Sequence, residues 1–206
     1  MKLLLSLFIV VILCTSVIPN NLFPEVMNVE TLMKKAQEQR DSNEKKKAID
    51  TYSRIISKNP DYVEARWERA SIYLNKKKYA LSIPDYKQII KLAPDSQYAA
   101  LSSHSIGWIF ALKGKYDEAA DYSKKAYYSI GFWGSALNLG HIELFRGNED
   151  QAKDWYNTSL SGFMSSGDLG IENEFLNSYV SDFNLFIKTG RNEKISQKYL
   201  PWIKKE

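Results

Sequence analysis

Catalysis and ligand capture need nucleophiles, acids or metal-binding side chains, and this chain has few of them. It holds two histidines, His104 and His141, and a single cysteine, Cys14. One cysteine excludes a disulfide framework and any Cys-based zinc or iron–sulfur centre. Two imidazoles without a carboxylate cluster are too little material for a metal site, so no metal or cofactor is expected. The chain lacks H-E-x-x-H, a phosphate-cradling glycine loop, G-x-S-x-G and a Cys–His pairing, and no enzymatic activity is expected. What it has in quantity is contact chemistry: 5 Trp, 13 Tyr and 9 Phe. Those side chains serve recognition, where aromatic anchors carry most binding energy.

The whole chain sets limits on what those aromatics serve. Its 206 residues are 44% hydrophobic, far too apolar for a disordered tail. A net charge of +4, from 28 basic and 24 acidic residues, is balanced rather than cationic. A dedicated nucleic-acid binder should carry a dominant basic stripe, so that partner is not expected. The runs Lys45–Lys47 and Lys76–Lys78 read as solvated charge, with attraction to anionic lipid or an acidic partner as the alternative. Asn157-Thr158-Ser159 matches a glycosylation sequon, a weak sign within a helical pattern.

Residues 1–18 read as an address rather than as part of the fold. Lys2 precedes an apolar run from Leu3 to Cys14, broken only by Ser6. As a helix it spans about 18 Å, short of a hydrocarbon core of about 30 Å. Three fates stay open: a signal peptide cleaved after Ser16, lipid attachment at Cys14, or an uncleaved anchor extended by Val17 and Ile18. Val11-Ile12-Leu13-Cys14 resembles the box preceding the lipid-modified cysteine of bacterial lipoproteins, though Leu13 is bulky for it. Each fate predicts an exported protein, whether periplasmic, envelope-anchored or secreted, with membrane association through the N-terminus in two of the three. Residues 19–28, with Pro19 and Pro24, read as a linker.

Internal repetition organises the rest. Asn59-Pro60-Asp61 and Ala93-Pro94-Asp95 lie 34 residues apart, each closing an amphipathic stretch. Small residues pair at a spacing of twelve: Ala36 with Ala48, Ala70 with Ser82, Gly107 with Ala119, Gly140 with Ala152. Four residues after the second of each pair come Tyr52, Tyr86, Ser123 and Tyr156. Two antiparallel helices in close contact need a small side chain on each at the crossing, with an aromatic one turn on to cover the seam. Polar turns separate the helices at Asp41–Asn43, Asn75–Lys77, Lys113–Lys115 and Arg146–Asn148.

This pattern resembles the tetratricopeptide repeat, most closely over Lys115–Ala120. Gln39 and Glu143 stand where the pattern has Tyr, and Ile55 and Ile89 where it has Ala. The predicted fold is all-α: a right-handed superhelical solenoid of antiparallel helix pairs, with hairpins at 29–62, 63–99, 100–132 and 133–165. Residues 166–206 follow as a degenerate fifth repeat or capping helices, with Phe175, Tyr179 and Phe183 at helical spacing. Three extra residues between repeats two and three predict irregular packing. Pro84 within a second helix predicts a late start or a kink.

The resemblance implies a concave face lined by the first helix of each pair. On this chain the implied groove residues are Met33, Gln37, Arg40, Trp67, Ser71, Leu74, Asn75, His104, Trp108, Leu112, Leu137, His141, Leu144 and Phe145. Core packing is the alternative for Trp67, and packing on the next repeat for Leu144 and Phe145. The chaperone-tail clamp of some relatives needs a Lys and an Asn where this chain has Met33 and Gln37, so that function is not carried over. The expected function is a non-enzymatic scaffold holding a partner peptide or helix in its groove. The alternatives are a self-associating component of a cell-envelope complex and an accessory subunit of an enzyme.

Overall fold

The computed structural model describes residues 28–165, 172–188, 193–194 and 196–198. Cys14, the expected signal segment and nearly all of the expected linker lie outside the described residues. Helices α1 (Val29–Asp41) and α2 (Lys45–Lys58) form the first hairpin, and α3 (Val63–Asn75) and α4 (Tyr79–Leu92) the second. Helices α5 (Gln97–Leu112) and α6 (Tyr116–Ile130) form the third, and α7 (Trp133–Phe145) and α8 (Glu149–Ser165) the fourth. Helix α9 (Glu172–Lys188) follows. The architecture is a stack of antiparallel helix pairs, as the repeat spacing predicts.

Each hairpin turn is closed by the same backbone device. One residue adopts a left-handed conformation: Asn43 (φ 61°), Lys77 (56°), Gly114 (72°) and Gly147 (87°). The next residue's N–H then reaches back to a carbonyl near the helix end. These bonds are Glu44 to Gln39 and Lys78 to Tyr73 at 2.8 Å, and Lys115 to Phe110 and Asn148 to Glu143 at 2.9 Å. Two of the four positions are glycine, for which the conformation is free of Cβ strain. Asn43 and Lys77 accept it at a cost.

The seams are as tight as the small residues imply. Ala36, Ala48, Ala70, Ser82, Ala119 and Ala152 are fully buried, as are Tyr52 and Tyr86, and Tyr156 is nearly so. A Cβ on Gly107 would lie 2.5 Å from the Ser123 hydroxyl, and one on Gly140 would overlap the Tyr156 ring. The polar replacements are accommodated by hydrogen bonds. Thr51 Oγ1 donates to Gln39 Oε1 at 2.8 Å, and Glu143 accepts from Arg146 at 2.7 Å and from Asn148 at 2.8 Å.

Two local expectations are revised. The three extra residues lengthen a helix instead of loosening a joint. Helix α5 has 16 residues where α1, α3 and α7 have 13, and Ser96 caps its start by accepting from Ala99 N–H at 3.1 Å. It therefore begins at Gln97, ahead of the expected repeat start at residue 100. Pro84 causes no late start either, because α4 already begins at Tyr79. Its ring sits exposed on the second helix, away from the seam that Ser82 and Tyr86 fill.

A buried ion cluster joins the first two hairpins. Arg69 on α3 donates to both oxygens of Asp85 on α4, at 2.8 and 2.7 Å, and to Ser53 Oγ on α2 at 2.9 Å. Arg66 adds a 3.2 Å bond to Asp85 and two to the Pro60 carbonyl. Burial works against the Arg69 cation, and the Asp85 hydrogen bonds outweigh it, so its pKa is raised. The cluster ties the α2–α3 turn to both repeats.

Candidate partner-binding face

The first helices α1, α3, α5 and α7 present the face on which the groove residues were expected. Its chemistry changes along the stack. At the α1–α3 end the face is partly open: Gln37, Arg40, Trp67, Ser71 and Leu74 are half-buried, and Asn75 is exposed. Arg40 is committed to an ion pair with Glu68 that links α1 to α3, which raises its pKa further. Trp67 leans on Tyr86 and Tyr98, with ring centroids 5.6 and 5.9 Å away. It therefore shares core and surface roles.

The α5–α7 end is closed. Leu112, Leu137, His141, Leu144 and Phe145 are all buried there, as is Met33 on α1, so none of these expected groove residues is open. For Met33 the reason is hairpin packing in the first repeat's core with Ala36, Ala48 and Tyr52. For the others the reason is α9. Every residue of α7 from Gly134 to Phe145 is buried, although a first helix of a solenoid ordinarily keeps one stripe open.

Helix α9 achieves this with two phenylalanines, both fully buried. Phe183 meets the His141 ring edge-on at 5.0 Å and joins a cluster with Leu137, Leu144 and Tyr156. Phe186 meets Phe145 at 4.5 Å, His141 at 5.7 Å and Trp108 at 5.4 Å. The contact with Trp108 skips a repeat, whereas solenoid units ordinarily touch only their neighbours. Asp182 Oδ2 adds a polar contact, 3.4 Å from His141 Nε2. Tyr156 Oη lies 3.0 Å from the other ring nitrogen.

The two histidines do not converge on a ligand. His104 stacks repeats three and four: its Nδ1 lies 3.2 Å from Asn138 Nδ2 and 3.3 Å from Ser135 Oγ, and its ring meets Phe132 edge-on. The Asn138 amide donates, so Nδ1 accepts and the ring is neutral. Burial lowers the His104 pKa from 6.5 to about 4. Among the described residues no group of three or more His, Cys, Asp or Glu is placed to hold a metal ion. Among them, too, no helix is long and apolar enough to cross a membrane.

Sequence reasoning missed Asp182 and Phe186 as groove-face residues, along with the Asp85 cluster. The Phe183–Phe186 spacing shows an amphipathic helix, but nothing in it says which surface that helix covers.

Comparison with known proteins agrees with this geometry. The tetratricopeptide repeat family model matches residues 33–97. The solved structure of MamA superposes with a TM-score of 0.62 at 18% identity, covering 86% of this chain and 90% of that one. A tetratricopeptide repeat protein from Parabacteroides merdae gives 0.62 at 18% identity, over 86% of this chain and 66% of that one. PilW, described as a widely conserved type IV pilus biogenesis factor, gives 0.56 at 19% identity, over 83% and 90%. No curated protein matches the sequence significantly. At these identities the superpositions establish the fold. Residues 33–97 are similar to the tetratricopeptide repeat family, and the chain shares the fold of the tetratricopeptide-repeat structures, a scaffold fold typical of protein–protein interaction and usually non-catalytic.

Proposed function

We propose that the protein is a non-enzymatic scaffold, working outside the cytoplasm, that holds a partner peptide or helix against its first-helix face. The observation that carries this reading is the half-open aromatic and polar surface of Gln37, Trp67, Ser71, Leu74 and Asn75. The hairpin seams are already filled by small residues and tyrosines, so a surface of this composition is available for recognition. The export reading rests on residues 1–18 of the sequence. The fold-level likeness to a pilus biogenesis factor is in keeping with a role in envelope assembly. To test the reading, a displayed pool of random helical and extended peptides is selected on the full chain. Peptides so recovered should lose at least tenfold in affinity to a Q37R/N75R chain and none to a Y128R chain. The reverse pattern would place binding on the second helices.

Self-association is favoured by a different surface. Tyr128 is 72% exposed and Met164 59%, with Ile130 and Leu160 also exposed, all on the second helices α6 and α8. A strictly monomeric mass at high concentration would remove this alternative.

A further inference from the structure

We infer that α9 is a built-in occupant of the partner-binding face, and that its natural competitor is an amphipathic helix carrying two aromatic residues three positions apart. This deepens the proposed function and rests on it. The shelf that α9 covers is made of Trp108 on α5 and His141 and Phe145 on α7, with Leu112 in the same cluster. These are groove positions by the logic of the repeat, and α9 fills them as a ligand helix would. Two fully buried phenylalanines, Phe183 and Phe186, serve as anchors at i and i+3. Such anchor spacing on one helical face is how helices are recognised in grooves.

Around the two anchors, α9 turns a polar side outward. Asn177, Ser181, Asn184 and Lys188 are exposed, and Val180, Asp182, Leu185 and Ile187 are only half-buried. The polar contact between Asp182 and His141 sets the register, because it places an acid immediately before the first anchor. The competitor helix is thus specified by chemistry: an acid, an aromatic at the next position, and a second aromatic three positions further on. While α9 is seated, that helix is excluded from Trp108 and admitted only when α9 leaves.

A labelled peptide of residues 172–188 tests this by fluorescence anisotropy. It should bind a full-length F183A/F186A chain at least tenfold more tightly than the natural chain. The same peptide with both phenylalanines replaced by alanine should not bind. Equal affinity for the two chains would overturn the proposal, as would no binding to a double variant that keeps its helicity by circular dichroism. If the double variant loses helicity, F186A alone is measured the same way. Loss of helicity there too would show α9 to be part of the folding core, which also overturns it. Display-selected peptides that depend on Gln37 and Asn75 would bind the natural chain in every such case, so failure here leaves the wider reading separately testable.

Discussion

Phe186 on α9 lies edge-on to Trp108 on α5, ring centroids 5.4 Å apart, with the whole of repeat four between them in the chain. A contact that skips a repeat couples the end of the stack to its middle. Removing it should therefore have a local signature. Phe186→Ala vacates a site bordered by Trp108, His141 and Phe145 and should destabilise α9 by about 2–3 kcal/mol. Amide exchange in α9 should accelerate roughly 100-fold, with α1–α4 unchanged, because stability in a stack is partitioned among neighbours. Uniform acceleration along the chain would contradict that partition.

Gly140 is held against the Tyr156 ring, where a Cβ has no room. Gly140→Ala should lower stability by about 2 kcal/mol, since a buried ring wedged in the seam cannot step aside cheaply. Denaturant unfolding measures this, and a change below about 0.5 kcal/mol would show that the α7–α8 seam can relax.

Asp85 accepts from two arginines in a nearly buried position. Asp85→Asn strands the Arg66 and Arg69 cations and should cost about 3 kcal/mol, read as a lower melting temperature. Replacement of Asp85 together with Arg69 by uncharged residues should recover part of that loss. No recovery in the double variant would mean the cluster works by packing alone.

His104 supplies a pH dependence. Its folded pKa, about 4, lies below the ordinary 6.5, so between those values the unfolded chain takes up a proton that the folded chain refuses. This contribution is intact above pH 6.5 and is lost as pH falls towards 4, amounting to about 2.5 kcal/mol at pH 4.5. Urea midpoints at pH 7 and 4.5 should diverge more for the natural chain than for His104→Gln. Equal divergence would assign the acid sensitivity to carboxylates instead.

How far the sequence could reveal this depends on what each feature needs. Small residues at a spacing of twelve report close helix contact directly, because no larger side chain fits, and Ala36, Ala48, Gly140 and Ala152 all lie in seams. Left-handed turns are equally legible at Gly114 and Gly147, less so at Asn43 and Lys77. The open groove was over-read. Periodicity puts His141 and Phe145 on the first-helix face, but only tertiary structure shows α9 lying across that face. Likewise Arg69 and Asp85 read as separate surface charges until the second hairpin brings them together. Three surplus residues could loosen a joint or extend a helix, and the Ser96 cap decides for the helix.

The most direct test is radical footprinting of the full chain with and without a bound display-selected peptide. Trp67, on the open α1–α3 part of the first-helix face, should become protected, while Tyr128 and Met164, on the second helices, stay as reactive as before. Protection of Tyr128 and Met164 with Trp67 unchanged would contradict partner binding on the first-helix face.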